Sequence, residues 1–361
     1  MNTICKLSCL AFAVTVAWHA SRRPVQAVDE TSTGRPTVPK ASQAPFHGMA
    51  VQLHGGSDVY EHYKGLIPEI AALGADSVLF VVHGWQTHGG SLDLHIDARR
   101  TASPEALGKL CDLAAEHGLR VILMPVVLLE HPRNKEWRGR IVPEGHNWDE
   151  WFRRYTRFIV HFARIAEKHG VALLMVGSEL IKTEVYTDRW EQVITEVRQN
   201  YRGALGYSAN WDHYQSTKIG FWPRLDYVGM TSYYKLADGP NPTAEELDRN
   251  WAKFKKEIIA FQSEVKKPIL FTEVGWCSQE GAAKEGWNYY ANQKATEAGL
   301  REQQLLYEAF IRNWGEEGGI GGIIWWEWDR STGGPNDYNY TPRGKPAEKI
   351  LRAWFAGRRN D

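Results

Sequence analysis

Eight apolar runs of strand length, separated by amphipathic stretches of helical length, restrict the fold of this sequence more than any other feature. Strands that are apolar throughout, rather than alternating with polar residues, indicate a parallel sheet covered on both faces. Eight strand–helix units in one domain predict an α/β fold of the TIM (β/α)8 barrel type. The strand candidates are 46–53, 76–82, 119–127, 171–177, 204–208, 226–231, 268–273 and 320–326. The helix candidates include 103–117, 148–169, 187–200, 243–264 and 297–314.

Local signals at the helix ends agree with this interpretation. Ser103 and Pro104 are a cap and a first-turn proline, and Thr243 with Glu246 resembles a capping box. The alternative is an open doubly wound sheet. No Gly-x-Gly-x-x-Gly motif follows the first strand, which argues against that alternative.

The N-terminal segment has the pattern of an export signal. Lys6 supplies a positive charge, residues 7–18 are apolar but too few to span a bilayer, and Ala27 ends a small-residue cleavage site. The alternative is an ordinary N-terminal helix. The signal interpretation gives residues 1–27 as a signal peptide and predicts a secreted or periplasmic protein. Residues 28–45 are rich in Thr, Ser, Pro and Gly and are predicted to be a disordered linker.

The rest of the chain is predicted to be one domain. Residues 46–356 have a length that is usual for a single barrel, followed by a C-terminal tail at 357–361. The 43 basic and 43 acidic residues balance, which argues against a nucleic-acid or polybasic membrane partner. Only Cys111 and Cys277 remain after removal of the signal. A disulfide between them is one alternative, but we expect two free thiols and a monomer.

Two glutamates stand where buried strands end. Glu179 closes the run 171–179, and Glu273 lies at the end of the seventh strand candidate. Burying a carboxylate costs free energy, so such positions are typical of catalytic sites. Strands four and seven face each other across a barrel mouth, where barrel enzymes keep their catalytic residues. The pair therefore indicates an acid and a nucleophile acting on a glycosidic bond; the alternative is two structural carboxylates paired with arginines.

The aromatic content and the loop lengths favour a sugar-binding cleft. The chain has 16 Trp, 15 Tyr and 12 Phe, more Trp than a core of this size needs. Aromatic rings stack against the apolar faces of sugars, although part of this set must pack in the core. The longest connections, 130–147, 274–296 and 327–344, all leave the carboxyl ends of strands. Long loops at one end of a barrel usually build the binding site.

Several residues near these ends are candidates for substrate contact. Trp325 and Trp326 are adjacent on the eighth strand, so only one of them can face the cleft. Glu327 is either a third site carboxylate or part of a loop ion pair. The remaining candidates after strands one, two and five are His54, His83, Trp85, Asn210 and Trp211.

Other hydrolase chemistries have weaker support. The sequence has 13 histidines, but those in the predicted mouth loops show no helical His-x-x-x-His or similar ligand spacing. A metal-dependent hydrolase or deacetylase is therefore disfavoured, and we expect neither a metal nor a cofactor. Serine hydrolase chemistry is disfavoured because Gly-x-Ser-x-Gly is absent.

The sequences around the two glutamates resemble a known family. Val-Gly-Ser-Glu-Leu (176–180) and Phe-Thr-Glu-Val-Gly-Trp (271–276) are similar to glycoside hydrolase family 113, whose characterised members are β-mannanases. The resemblance extends from Gly48 to the tryptophan pair of strand eight. It belongs to the clan of retaining barrels with catalytic glutamates on strands four and seven. It therefore implies that Glu179 is the acid/base and Glu273 the nucleophile.

The resemblance also implies roles for neighbouring residues. Ser178 stands where many families of the clan have an asparagine that contacts the substrate 2-hydroxyl, so that contact is left unassigned. Four residues in or near these motifs are candidate substrate contacts: Ser178, Tyr233, Tyr234 and Trp276. Tyr233 or Tyr234, after strand six, is expected to donate a hydrogen bond to Glu273.

The function implied is a secreted, cofactor-free endo-β-mannanase acting on oligo- or polysaccharide by double displacement. Retention requires the carboxyl groups to be about 5–5.5 Å apart, against roughly 6.5–9.5 Å for inversion. The alternatives are a β-glucan or xylan glycosidase of the same clan and a barrel that binds glycan without cutting it.

Overall fold

Eight parallel strands close into a barrel in which each strand pairs with its neighbours in the chain and the last pairs with the first. The computed structural model describes residues 44–215 and 219–358. The strands are Phe46–Gln52 (β1), Ser77–Gln86 (β2), Arg120–Leu129 (β3), Leu173–Ser178 (β4), Ala204–Ala209 (β5), Tyr227–Thr231 (β6), Ile269–Val274 (β7) and Ile320–Trp325 (β8). The predicted TIM barrel is confirmed. The predicted signal peptide and most of the predicted linker lie outside the described residues.

Helices surround the barrel between successive strands. They are Val59–Tyr63 (α1), Leu66–Leu73 (α2), Pro104–Glu116 (α3), Trp148–Lys168 (α4), Thr187–Asn200 (α5), Ala244–Val265 (α6), Glu297–Trp314 (α7) and Pro346–Arg358 (α8). The described residues between β5 and β6 contain a 3₁₀ helix, Trp222–Arg224. Helix α8 reaches Arg358 and so includes the first two residues of the predicted tail.

The predicted helix starts are confirmed by their hydrogen bonds. The Ser103 hydroxyl accepts the N–H of Ala106 at 3.2 Å, and the Thr243 hydroxyl accepts the N–H of Glu246 at 3.2 Å. Both bonds satisfy backbone donors that a helix leaves unpaired in its first turn.

Alternate residues of each strand belong to different layers. In β4, Leu173 and Met175 belong to the cluster inside the barrel, whereas Leu174 and Val176 pack in the layer between strands and helices. This follows from the two-residue period of a strand. The barrel interior is filled by side chains from all of the strands, as in other barrels of this type. The filled interior leaves no room for a ligand inside the described barrel, so we expect a binding site at the mouth, where the strands end.

Both cysteines of the barrel domain are free and buried. Burial raises the pKa of Cys111 and that of Cys277 to about 12, so neither is a reactive thiolate at neutral pH. The prediction of two free thiols is confirmed. In the described part of the chain, no helix combines the length and apolar character that crossing a membrane requires.

Candidate active site

Glu179 follows the last residue of β4 in a strained backbone conformation. Its φ angle is 53°, in the left-handed region that costs a residue other than glycine about 1–3 kcal/mol. Two hydrogen bonds hold this turn: the N–H of Glu179 donates to the carbonyl of Ser208 at 2.8 Å, and the N–H of Leu180 donates to the Tyr207 hydroxyl at 3.0 Å. The neighbouring strand β5 therefore fixes the position of Glu179.

The carboxylate of Glu179 is buried and has two side-chain donors. The guanidinium of Arg138 donates to Oε2 and forms an ion pair with it. The Thr231 hydroxyl, at the end of β6, donates to Oε1 at 3.3 Å. Arg138 begins a 3₁₀ helix in the long loop between β3 and α4. That loop thus contacts the end of β4.

Glu273 lies within β7 and is 4% exposed. Its Oε2 accepts a hydrogen bond from the Tyr233 hydroxyl at 2.8 Å. Burial, together with the nearby Glu179 carboxylate, raises the pKa of Glu273 to about 8, against the opposing effects of Arg138 and the Tyr233 hydroxyl. Burial therefore favours the protonated form of Glu273 near neutral pH in the free protein.

Tyr233 is a hydrogen-bond donor throughout the physiological pH range. Its burial, and the negative charge of Glu273 beside it, hold the pKa of the phenol well above its ordinary value of 10.0. A phenol that stays protonated can stabilise the ionised form of the carboxylate it contacts. Of the two tyrosines expected to donate to Glu273, Tyr233 is the one that does so.

Both glutamates line one cavity of about 1100 Å³ at the barrel mouth. The cavity is bounded by the loop after β3, the start of the loop after β4, the loop after β5 and the loops after β7 and β8. Its volume exceeds that of usual small-ligand sites, which are roughly 300–1,000 Å³. A chain of several sugar residues therefore has room in it.

A third carboxyl group lies in the same cavity. Glu327 accepts hydrogen bonds from the side-chain amide of Gln52, at 2.9 Å to Oε2 and 3.2 Å to Oε1. Burial, with a smaller effect from Asp329, raises the pKa of Glu327 to about 7. The partner of Glu327 is an amide and not a cation, so the loop ion pair considered from the sequence is not the arrangement observed.

Comparison with known proteins gives a match to the model of Glycoside Hydrolase Family 113 over residues 60–345. This chain belongs to that family. It is therefore a glycoside hydrolase, as the sequence motifs predicted.

Solved structures agree with the family assignment. A β-1,4-mannanase of family 113 is 26% identical with a TM-score of 0.75, covering 86% of this chain and 99% of that one. A family 113 β-mannanase from Alicyclobacillus acidocaldarius, in complex with ManMIm, is 25% identical with a TM-score of 0.76, covering 87% and 98%. A family 5 mannosidase from Rhizomucor miehei, at 10% identity and a TM-score of 0.56, covers 86% and 92% and is similar in fold alone. Comparison with curated proteins gave no match.

Within the family 113 barrel, five of the predicted substrate-binding residues line the cavity together with Glu179 and Glu273. They are Asn210, Trp211, Tyr233, Trp326 and Glu327. The Asn210 side chain has a partner at each end: its Oδ1 lies 3.3 Å from the Thr231 hydroxyl, whose one proton is shared between Asn210 and Glu179, and its Nδ2 donates to Asp212 at 2.8 Å. Substrate contact by these five residues stays a prediction.

Three predicted aromatic contacts pack in the outer layer and are not among the described residues that line the cavity. Trp325 stacks on Tyr307 of α7, with ring centroids 4.7 Å apart. Trp276 is fully buried, and Tyr234 packs on Phe254 at 4.5 Å. Of the tryptophan pair, Trp326 is the one at the cavity, as the alternation of strand residues requires.

The other four predicted contacts also lie outside the described lining of the cavity. The His83 ring is buried against His54 at 4.9 Å, and burial lowers the pKa of His83 to about 3. Trp85 donates to the Thr101 hydroxyl at 3.2 Å, and Ser178 is buried at the end of β4. His83 and Ser178 are buried, which indicates packing roles, whereas Trp85 is half-buried and His54 is exposed. Substrate contact by these four residues stays a prediction.

Sequence reasoning missed several residues of the site. Arg138 and Thr231 contact Glu179, and Gln52 contacts Glu327, but none of the three stands in a recognisable motif. A buried acid pair needs a cation nearby, which could have directed attention to the arginines of the loop after β3. Which arginine reaches Glu179 depends on the path of that loop, and the sequence does not give it. The described residues include no cluster of three His, Cys, Asp or Glu side chains arranged for a metal ion.

Proposed function

We propose that this protein is a retaining β-1,4-mannanase in which Glu179 is the acid/base and Glu273 the nucleophile. The observation that carries the proposal is the pair of buried carboxyl groups at the floor of one cavity, with different partners. Glu179 contacts a cation, Arg138, and Glu273 contacts a neutral donor, Tyr233. Two carboxyl groups in different environments can take different roles in one reaction.

The first step forms a covalent intermediate. A carboxylate oxygen of Glu273 attacks the anomeric carbon while the bond from that carbon to the leaving oxygen breaks. Glu179 gives its proton to the departing oxygen, so the first product leaves as an alcohol. The sugar is then held as an ester of Glu273, and Glu179 is ionised.

The second step reverses these roles. Glu179 takes a proton from water as the water oxygen attacks the anomeric carbon. The ester bond breaks and Glu273 leaves as a carboxylate. Two inversions at the same carbon give net retention, so the first product anomer from a β-linked chain is β.

This mechanism requires a proton on Glu179, and not on Glu273, when the attack begins. In the free protein, burial favours a proton on Glu273, whereas attack needs that group ionised and Glu179 protonated. In the free protein Arg138 is paired with Glu179, the group that must donate the proton. We propose that Arg138 contacts the bound substrate and thereby frees Glu179 for that role.

The mannan assignment is supported by the family and by the two family 113 β-mannanases that match over nearly their whole lengths. Mannan, glucan and xylan differ in single hydroxyl orientations or one substituent, so the assignment needs a substrate panel. We also propose that the protein is exported through residues 1–27 and acts as a monomer. N-terminal sequencing of the protein recovered outside the cytoplasm tests the export.

The decisive experiment is hydrolysis of β-1,4-mannohexaose, followed by chromatography and by NMR of the anomeric protons, beside Glu273→Ala. Shorter oligomers that appear first as the β-anomer, and only with Glu273 present, are expected. Products that appear first as the α-anomer would overturn the retaining mechanism. No hydrolysis of mannan, with hydrolysis of cellohexaose or xylohexaose, would overturn the mannan assignment alone.

Rescue by azide separates the two roles. A small anion can occupy the space left by a truncated carboxylate. With Glu273→Ala, azide should attack directly and give the α-mannosyl azide. With Glu179→Ala, azide should attack the ester intermediate and give the β-mannosyl azide. The reverse pattern would exchange the roles of the two glutamates.

A further inference from the structure

Exposed aromatic side chains are concentrated on one loop of the cavity. In the described part of the chain, five large hydrophobic residues are exposed, and three of them lie between β7 and α7. They are Trp287, Tyr289 and Tyr290, which are 43%, 53% and 56% exposed. All three line the same cavity as the two catalytic glutamates. Single exposed apolar residues are ordinary, but a contiguous exposed group marks a binding surface.

The three rings form a connected group. The centroids of Trp287 and Tyr290 are 6.3 Å apart, and those of Tyr289 and Tyr290 are 5.2 Å apart. Both pairs meet edge to face, at 67° and 86°. Rings in this arrangement stabilise one another and leave other ring faces open to a ligand.

Buried side chains hold the loop in place. Gln279 is 2% exposed; its Oε1 accepts the N–H groups of Asn292 and Gln293 at 2.8 and 2.9 Å, and its Nε2 donates to the carbonyl of Tyr289 at 3.0 Å. Glu302 on α7 is 1% exposed and accepts the N–H of Ala283 at 2.9 Å. The rings are therefore presented by an anchored loop, which lowers the entropy lost when a ligand binds.

The aromatic group is continuous with the catalytic residues. Next to Trp287, the carbonyl of Gly286 accepts the Tyr340 hydroxyl at 2.8 Å. The Tyr340 ring lies 6.3 Å from that of Tyr233, which donates to Glu273. The loop also passes close to Tyr233, because a Cβ added at Gly286 would lie 3.5 Å from its ring. Aromatic side chains thus extend from Glu273 outward to Tyr290.

We propose that Trp287, Tyr289 and Tyr290 form a platform that binds sugar residues of a β-linked chain beyond the two residues whose bond is broken. The chemistry is that of an uncharged glycan: the rings offer flat apolar faces to C–H groups, and the tyrosine hydroxyls reach sugar hydroxyls. This proposal rests on the proposed function. It adds that these three side chains raise the affinity of the protein for longer chains.

The test compares long and short substrates in the double variant Trp287→Ala/Tyr290→Ala. The ratio of kcat/KM for mannohexaose to that for mannotriose is expected to fall roughly fivefold to tenfold, mainly through a higher KM for the longer chain. The conservative double variant Trp287→Phe/Tyr290→Phe keeps an aromatic ring at both positions and should recover most of the ratio. Equal losses on both substrates, or no loss, would overturn the platform.

Val185→Ala is the matched control. Val185 is 61% exposed and is not among the described residues that line the cavity. This substitution removes an exposed apolar side chain and should leave the ratio unchanged. Because all the substituted side chains are exposed, thermal unfolding should show all variants folded.

Calorimetry separates failure of the platform from failure of the proposed function. In a Glu273→Gln background, binding of mannohexaose, cellohexaose and xylohexaose is measured with and without the double substitution. If mannohexaose does not bind, but another hexaose binds and loses affinity in the double variant, the mannan assignment fails and the platform stands. If mannohexaose is hydrolysed but binds equally with and without the double substitution, the platform fails and the proposed function stands.

Discussion

Arg138, in the loop after β3, donates a hydrogen bond from its guanidinium to Oε2 of Glu179 at the end of β4. The same cation lowers the pKa of Glu273, against the larger effects of burial and of Glu179. One side chain therefore acts on both carboxyl groups. Its position makes the loop after β3 part of the candidate active site.

Replacing Arg138 by glutamine should move the acidic limb of the pH profile of kcat/KM to higher pH. Loss of the cation raises the pKa of Glu273 further, because less positive charge remains to stabilise its ionised form. We expect a movement of about one pH unit. The measurement is kcat/KM on mannohexaose across the pH range for both proteins.

The control for this variant is Arg133→Gln. Arg133 lies on the same loop and pairs with Glu144 at 3.5 Å. It carries the same charge but is not among the described residues that line the cavity. Its profile should coincide with that of the unmodified protein. If Arg138→Gln also gives the unmodified profile, the ion pair has no part in the ionisation of the site.

Tyr233→Phe should lower kcat about tenfold to a hundredfold. The phenol donates to Glu273 at 2.8 Å, and a hydrogen bond to a charged group contributes about 1.5–3 kcal/mol. Without that donor the ionised nucleophile is less stable, so the acidic limb should again move to higher pH. The control is Tyr234→Phe, which removes the hydroxyl of a residue that packs in the outer layer. It should leave kcat and the acidic limb of the pH profile unchanged. Similar losses in the two variants would contradict the assigned contact.

Glu327→Gln should lower kcat/KM about tenfold or more. The Glu327 side chain lines the cavity and contacts the side-chain amide of Gln52. There its carboxylate can accept charge-assisted hydrogen bonds from sugar hydroxyls. Burial raises its pKa to about 7, so its charge is lost as the pH falls below that value. The loss in the variant should therefore be larger at pH 8 than at pH 5. Glu348→Gln, on α8, is the control, and a loss independent of pH would argue that the charge of Glu327 is not used.

The fold could be predicted from the sequence because the strands are apolar runs on a parallel sheet. The exceptions are instructive. β2 was predicted to end at 82, but it continues to Gln86 because His83 and Gly84 keep pairing with β3 although they are not apolar. Hydropathy identifies the buried part of a strand, whereas backbone pairing decides where the strand ends.

The sequence predicted the two carboxyl groups of the candidate site, but not which side chains form hydrogen bonds with them. Glu179 and Glu273 stand at the ends of apolar runs, and both line the cavity. Register shifts follow Met230 in β6 and Phe271 in β7, so the two-residue period could not decide between Tyr233 and Tyr234. Arg138 comes from a loop whose path depends on tertiary contacts.

The final prediction concerns Glu184, a buried acid outside the described lining of the cavity. Its Oε1 accepts the Tyr207 hydroxyl at 2.7 Å, and burial, with a smaller effect from Glu179, raises its pKa to about 8 from an ordinary value of 4.5. Below about pH 4.5 the group is protonated in both the folded and the unfolded protein. Between pH 4.5 and 8 only the unfolded chain ionises, so the free energy of unfolding falls as pH rises. Over this range Glu184 lowers the free energy of unfolding by up to about 1.4 kcal/mol for each unit of pH rise.

Glu184→Gln should remove that contribution while keeping an oxygen that can accept from Tyr207. The free energy of unfolding of the variant, relative to the unmodified protein, should therefore be more favourable at pH 8 than at pH 5. Urea unfolding at both values measures the difference, and the comparison cancels the similar contribution of Glu273, which both proteins share. Activity on mannohexaose should be retained, because Glu184 is fully buried and is not among the described residues that line the cavity. An equal stability difference at the two pH values would mean that Glu184 ionises normally in the folded protein.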